Sequence, residues 1–258
     1  MPILIVFLLA SGVVSAASAP DPSPAEIESI IRKFAEKESE FARARENYTY
    51  RQTARILELD QNGRPGGKWE MVWDVIFSPD GKRTERVVRS PVPTLRNIIL
   101  TPEDEKDMRD VQPFVLTSKE IDNYWVRYLG RETLDEISCY VFAVKPKKME
   151  PGQRYFTGMI WVDDADLQIV KTYGRARGLL KKNSDQQFPK FETYREQIDG
   201  KYWFPTYTVA NDVLYFQTGA VPIRQTIKYE DYKQFKSDVK ITFGDEVTDP
   251  PKPAPSKP

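Results

Sequence analysis

The sequence predicts an α+β domain that is mostly β and is built on one large antiparallel sheet. One amphipathic helix is expected near the N-terminus, and from Tyr48 onward the hydrophobic period changes from about 3.6 residues to about 2. Many short β-like runs follow at close spacing, without crossover helices between them. Because neighbouring parallel strands need such crossovers, the pattern favours antiparallel pairing.

Residues 1–19 have the layout of a secretory signal. An uncharged apolar run from Ile3 to Val14 precedes the small residues Ser15 to Ala19. The run is too short to span a bilayer comfortably. We therefore expect a signal peptide at 1–19, a single domain at 20–244 and a disordered proline-rich tail at 245–258, with no transmembrane span in the mature chain.

The first predicted element of the domain is a helix that begins after Ser23. Ser23 and Glu26 are spaced as a capping box, and Pro24 suits the first helical position. Apolar residues recur at helical spacing as far as about Glu46, and the opposite face mixes acidic with basic side chains. A membrane-surface helix is typically basic on that face, so we expect this helix to pack on the sheet.

The predicted strands begin after the helix. The run from Trp69 to Phe77 alternates, which gives one aromatic and aliphatic face, and turn signals at 62–67 and 80–81 flank it. The other runs predicted as strands are Thr53–Leu59, Thr84–Arg89, Tyr124–Leu129, Cys139–Val144, Tyr155–Val162, Ile169–Tyr173, Phe191–Ile198, Trp203–Ala210, Val213–Phe216, Arg224–Tyr229 and Val239–Phe243.

A second helix interrupts the strands in mid-chain. Thr101 and Pro102 form a capped helix start, and the helix is expected to run to about Val111, before Pro113. It follows the apolar stretch 95–100 and would act as a short lid.

Composition excludes several classes of function. The chain has 38 basic and 38 acidic residues, which is not the basic excess of a nucleic-acid binder. It has no histidine and one cysteine, Cys139, so zinc, haem and iron–sulfur centres lack ligands and no cofactor is predicted. The run 163–166 (Asp-Asp-Ala-Asp) offers oxygen ligands for calcium, but it lacks the glycine and the terminal glutamate of an EF-hand loop and is interpreted as a hairpin turn.

The centre of the chain resembles the LolA/LolB-like superfamily, which comprises periplasmic proteins that sort outer-membrane lipoproteins. In that superfamily a strand ending in Trp-Val-Asp turns tightly into a strand that carries a lysine. The segments that carry the resemblance are Tyr128-Leu129-Gly130-Arg131-Glu132, Leu134-Asp135, Cys139-Tyr140-Val141-Phe142, Lys145-Pro146, Gly158-Met159-Ile160-Trp161-Val162-Asp163 and Ile169-Val170-Lys171.

The resemblance implies a curved, incomplete antiparallel β-barrel, or half-barrel, whose concave face is covered by helices. It implies a periplasmic carrier that holds lipoprotein acyl chains or another lipid in a hydrophobic cleft. Two alternatives stay open: an envelope sensor or scaffold whose groove binds a protein partner, and a hydrolase that uses paired carboxylates.

Candidate cleft residues are large apolar side chains of the predicted strands and the first helix. Their aromatic character also suits ordinary packing of a twisted sheet. The residues predicted to contact the ligand are Ile31, Phe34, Trp69, Trp73, Phe77, Trp125 and Trp161. The helix around Ile31 and Phe34 and the lid at 102–111 are the parts expected to move.

Overall fold

The computed structural model describes residues 21–77, 82–180 and 187–234. The predicted signal at 1–19, the predicted strand Val239–Phe243 and the predicted tail at 245–258 lie outside the described residues. The domain predicted at 20–244 is therefore described in part.

Helix α1, Pro24–Arg45, begins where the capping box predicts. The Glu26 N–H donates to Ser23 Oγ, and the Ser23 N–H donates to the Glu26 carboxylate at 2.7 Å. Phe34, Ala35, Glu38 and Phe41 form its buried stripe. The helix therefore packs through one face, as the spacing of its apolar residues requires.

Ten strands form one antiparallel sheet in the order β3-β2-β1-β10-β9-β8-β7-β6-β5-β4. Among the described residues, β3 and β4 are the edges and do not pair with each other, so the sheet is an open half-barrel and the predicted fold class is confirmed. The strands are β1 (Tyr48–Leu59), β2 (Pro65–Phe77), β3 (Arg83–Arg89), β4 (Tyr124–Leu134), β5 (Ile137–Pro146), β6 (Tyr155–Asp163), β7 (Ile169–Arg177), β8 (Phe191–Ile198), β9 (Tyr202–Phe216) and β10 (Gly219–Gln234).

Several strand boundaries differ from the sequence prediction, and two of these differences affect the course of the chain. β9 is one continuous strand, because Asn211 and Asp212 pair with β10 where a break was predicted. β2 begins at Pro65, so Gly67 belongs to the strand and not to the turn. A Cβ atom at Gly67 would lie 2.7 Å from the carbonyl oxygen of Thr94, so glycine allows the next connection to cross there.

One face of the sheet, called here the inner face, carries the main core. Phe142, Ile160 and Phe191 of the strands pack there with Phe34 of α1 and Leu116 of the connection between β3 and β4. Successive side chains of a strand point to opposite faces, so the neighbours of these residues in sequence lie on the outer face. α1 and the connection 90–123 together cover the inner face.

The connection 90–123 contains the predicted second helix. α2, Pro102–Lys106, starts with a capping box between Thr101 and Asp104, and it continues as a π-helical turn, Asp107–Val111. The predicted start and the predicted end near Val111 are confirmed. A 3₁₀ turn, Ile121–Asn123, then leads into β4.

Candidate functional site

A cavity of about 1050 Å³ lies at one end of the sheet, between the inner face and the connection 90–123. Its strand walls come from the end of β7, the start of β8, the end of β9 and the start of β10. The remaining wall is formed by residues 97–101, by α2 with its π-helical turn, by the turn at 151–152 and by residues 187–189.

Most of the cavity wall is apolar. The rim contains Ile99, Leu179 and Leu180, which are 89%, 48% and 42% exposed and so present apolar side chains to solvent. Deeper wall residues such as Met108 and Phe191 are buried. The apolar lining residues are Ile56, Ile98, Ile99, Leu100, Met108, Pro151, Ala176, Leu179, Leu180, Phe188, Pro189, Phe191, Leu214, Phe216 and Ile223.

A buried carboxylate, Glu58 at the end of β1, holds the segment that crosses the cavity. It accepts backbone N–H groups from Arg96 at 2.9 Å, from Asn97 at 2.7 Å and from Ile98 at 2.9 Å. A carboxylate accepts several N–H donors more strongly than a neutral group does. These hydrogen bonds fix the backbone of residues 96–98 over the cavity, whereas the next residue, Ile99, stays exposed.

An ion pair joins the lid to the opposite wall. Arg154 Nε lies 3.3 Å from Asp107 Oδ1, and the Arg154 guanidinium lies 5.2 Å from the ring centroid of Phe188. Burial raises the pKa of the Asp107 carboxyl to about 7, because Arg154 only partly offsets the loss of hydration. The charge of this cavity-lining side chain therefore changes near neutral pH.

Polar side chains form a band on the inner face beside the cavity. Gln225 Nε2 donates to Gln112 Oε1 at 2.8 Å, and Thr193 Oγ1 donates to the Gln112 carbonyl oxygen at 2.8 Å. Thr193 and Thr208 hydroxyls are 2.8 Å apart. Gln112 and Gln225 also line the cavity, so its deep wall is not wholly apolar.

The predicted cleft residues on α1 and β2 lie on the covered side of the sheet. Ile31 packs against the core that contains Phe34, and Phe34 is fully buried. Trp69 and Trp73 are buried beside Ile56, and Phe77 packs against the same cluster. Because Ile56 lines the cavity, this cluster adjoins it.

Trp161 and Trp125 lie on the outer face. Ile160 belongs to the inner core, so its neighbour Trp161 points the other way, where its Nε1 donates to Glu132 at 2.7 Å. Trp125 is 58% exposed and has Lys147 Nζ 5.1 Å from its ring centroid. Of the residues predicted to contact the ligand, none is among the described residues that line the cavity.

The sequence reasoning missed the residues that do line it. They are mostly at strand ends and in connections, whereas the prediction selected aromatic residues of the strands together with Ile31 and Phe34 of the first helix. The apolar stretch 95–100 and the pair Leu179-Leu180 carried a usable signal, because apolar runs in connections need a partner surface.

The carboxylates of the acidic run 163–166 already have partners in the turn itself and on neighbouring strands. The Asp163 carboxylate accepts the Ala165 N–H at 2.9 Å, and Asp164 pairs with Arg131 at 2.7 Å. Asp166 accepts the indole N–H of Trp203 at 2.8 Å. Within the described ranges, no group of three or more acidic, cysteine or histidine side chains could hold a metal ion, and no helix there is long and apolar enough to cross a membrane.

Several solved structures are similar to this chain. A DUF1329 family protein from Desulfovibrio piger has 14% identity and a TM-score of 0.39, with 84% of this chain and 95% of that chain covered. A putative outer membrane lipoprotein-sorting protein domain from Vibrio parahaemolyticus has 15% identity and a TM-score of 0.36, with coverages of 78% and 92%.

A LolA superfamily protein from Nitrosomonas europaea has 11% identity and a TM-score of 0.33, with coverages of 81% and 93%. Structures of DUF1329 and LolA superfamily proteins are thus among those that resemble this chain. No protein-family model matches the sequence, and no curated protein sequence matches it.

Proposed function

We propose that this protein is an exported, periplasmic carrier that binds an acyl chain or another apolar ligand in the cavity, as proteins of the lipoprotein-sorting type do. The observation that supports the proposal is an apolar cavity of about 1050 Å³ with an exposed apolar rim. Ligand sites in proteins commonly have volumes of about 300–1,000 Å³ and mostly apolar walls.

The energetics suit a carrier. Each methylene removed from water contributes about 0.8 kcal/mol, so about ten buried methylenes would contribute about 8 kcal/mol before the cost of association. Such binding needs few directional contacts. The ligand can therefore be held firmly and still be released when the cavity changes shape.

The contacts favour α2, the first part of the lid, as the part that moves. α2 contains no buried residue, whereas Met108 and Val111 of the π-helical turn pack in the core, and Asp107 of that turn pairs with Arg154 of the opposite wall. α1 is held more firmly, because Phe34 is fully buried and Glu38 pairs with Arg195 inside the protein. We assign opening of the cavity to α2 and a supporting role to α1.

The cavity carboxylates favour binding over hydrolysis. Among the described residues that line the cavity, the acidic ones are Glu103, Asp104 and Asp107, which come from α2 and its continuation. A glycosidase-type mechanism needs two carboxylates on opposite sides of the scissile bond. These three lie on one wall.

The binding proposal is tested by a pair of substitutions on β9. Leu214 lines the cavity, while its neighbour Val213 points to the outer face. We expect Leu214→Trp to fill the cavity and to weaken binding of the neutral apolar dye N-phenyl-1-naphthylamine by tenfold or more, and Val213→Trp to leave it unchanged. Dye fluorescence titration gives both dissociation constants.

Two results of the dye titration would contradict the carrier proposal. If the wild-type protein does not bind the dye, or if both tryptophan variants behave alike, the carrier proposal is wrong. Retention of an envelope protein by a dye-negative protein would favour the scaffold alternative. Native mass spectrometry of protein purified from its own envelope should show co-purified lipid if the carrier proposal holds.

A further inference from the structure

Two glutamine side chains, Gln112 and Gln225, lie in the deep wall of an otherwise apolar part of the cavity. They are 4% and 3% exposed. Ile56 pairs with Gln225 in register on β1, and Ile223 precedes it on the same face of β10. Burying primary amides among such neighbours has a cost unless hydrogen bonds replace their lost contacts with water.

One hydrogen bond joins the two side-chain amides, and it uses only part of their hydrogen-bonding capacity. Each amide has two N–H donors and one oxygen acceptor, and the pair uses one donor from Gln225 and the acceptor of Gln112. Within the described part of the chain, Gln112 Nε2 and Gln225 Oε1 form no hydrogen bond. Neither atom is fully buried, and both residues line the cavity. A ligand in the cavity can therefore reach the two atoms.

Among the described residues, the pair thus leaves one amide nitrogen, Gln112 Nε2, and one amide oxygen, Gln225 Oε1, without a protein partner, besides the second N–H of Gln225. Rotating both amide groups by half a turn would exchange the two roles but would keep one of each. The chemistry offered to a ligand is the same in either arrangement.

The backbone of this pair is already fixed. The Gln112 N–H donates to the Asp107 carbonyl oxygen at 3.1 Å, and its own carbonyl oxygen accepts the Thr193 hydroxyl at 2.8 Å. Gln225 is held in register between Ala210 on β9 and Ile56 on β1. A ligand therefore meets groups whose backbone needs little further ordering, which favours selective binding.

We propose that the cavity selects an apolar chain carrying a neutral group that both donates and accepts a hydrogen bond, for which a fatty amide is the matched case. This inference rests on the carrier function proposed above. An ionised carboxylate has no donor for Gln225 Oε1, and the guanidinium of Arg154, which also lines the cavity, already pairs with Asp107. A pure hydrocarbon would leave Gln112 Nε2 and Gln225 Oε1 without partners.

The test compares two ligands of the same shape by displacement of N-phenyl-1-naphthylamine. Decanamide and 2-undecanone differ only in an NH₂ group in place of a methyl group. We expect the ratio of their dissociation constants to favour decanamide in the wild type about tenfold more than in the double variant Gln112→Leu/Gln225→Leu. Gln197→Leu, an exposed position on β8, is the matched control and should behave as the wild type.

The outcomes separate this inference from the function on which it rests. If both ligands displace the dye but the ratio is the same in the wild type and the double variant, the amide selectivity is wrong and the carrier function stands. If the wild type binds neither the dye nor either ligand, both fail.

A ligand series on the wild type covers the case in which the double variant does not fold. N,N-dimethyldecanamide keeps the acceptor and lacks the donors. It should bind about tenfold more weakly than decanamide, and equal binding of the two would overturn the inference.

Discussion

Asp107 is a single side chain on which the charge inside the cavity depends. Its carboxyl has a pKa raised from 3.8 to about 7 by burial, beside Arg154 and near the further acids Asp104 and Asp110. In the unfolded chain the same group ionises near its ordinary value. Between about pH 4 and pH 7 the folded protein therefore holds a proton that the unfolded chain has lost, and folding stability falls as the pH rises through this window.

The substitution Asp107→Asn should remove that dependence. The free energy of unfolding of the wild type, measured by urea titration, should fall relative to the variant from about pH 4 to about pH 7, by at most about 4 kcal/mol, and stay level above that. Asp110→Asn, at an exposed position of the same π-helical turn, is the control. Parallel pH profiles of the wild type and Asp107→Asn would show that Asp107 ionises as in water.

At this scale the sequence predicted the helix caps, whereas none of its candidate cleft residues is among the described residues that line the cavity. The capping pairs Ser23–Glu26 and Thr101–Asp104 involve residues three apart, so their spacing is visible in the chain. Gln112 and Gln225 are 113 positions apart and meet only through the pairing of the sheet. Neither a motif nor local spacing could have marked them.

At the scale of elements, α1 is joined to the sheet by an ion pair inside the core. Arg195 Nη1 lies 3.1 Å from Glu38 Oε1, and the Ile169 N–H donates to the same oxygen at 3.1 Å. Arg195 also donates to the carbonyl oxygen of Phe114. Burial raises the pKa of Glu38, while Arg195 and the Ile169 N–H oppose that shift. One carboxylate thus connects α1, β7 and β8 and, through Arg195, the connection 90–123.

Glu38→Gln should therefore destabilise the whole domain. It leaves the Arg195 guanidinium buried without a counter-charge, which costs about 3 kcal/mol or more. Glu28→Gln breaks an exposed pair with Arg32 on the same helix and should change stability by less than about 0.5 kcal/mol. Urea unfolding midpoints of the two variants give the comparison, and similar losses for both would contradict this role for Glu38.

Most elements could be predicted from the sequence because each depends on local periodicity. The run 69–77 has a large apolar side chain at every second position and forms most of β2, and the apolar stripe of α1 faces the sheet as expected. The break predicted between residues 210 and 213 was wrong, since Asn211 and Asp212 are weak strand formers whose backbones are held by β10. Tertiary pairing there overrides local preference.

At the scale of the whole molecule, the open sheet has two edge strands within the part of the chain that the structure describes, β3 and β4. β3 combines two exposed valines, Val87 and Val88, which are 59% and 47% exposed, with two exposed arginines, Arg86 and Arg89. Charged side chains on an edge strand discourage pairing with another chain. The arginines should therefore keep the protein from associating through β3.

Replacing them, as Arg86→Val/Arg89→Val, should cause self-association that increases with concentration. The fold should persist, because Asp74 and Glu70 keep Arg51 and Arg55 as partners. Static light scattering over a concentration series measures the effect. Arg32→Val/Arg43→Val removes the same charge from exposed positions of α1 and should stay as dispersed as the wild type, so equal association of both variants would show that lost charge alone is responsible.

The half-barrel class followed from the resemblance in the central strands, whereas the position of the cavity did not. The predicted ligand contacts were chosen from the strands and from α1, where side chains such as Trp73 and Phe34 complete the core. The hollow occurs at one end, where strands stop and the connection 90–123 does not fill the remaining volume. An unfilled volume depends on distances between distant segments, which residue patterns do not encode.

The strand order also bears on how the chain can be assembled. β10, the last strand of the described chain, sits between β1 and β9 and joins two consecutive meanders, β1–β3 and β4–β9. A nascent polypeptide that ends before residue 219 holds these meanders without the strand that unites them. The sheet can therefore be completed only after residues 219–234 have been synthesised. The pairing of β10 with β1 is then a long-range contact, which is expected to be a slow step of folding.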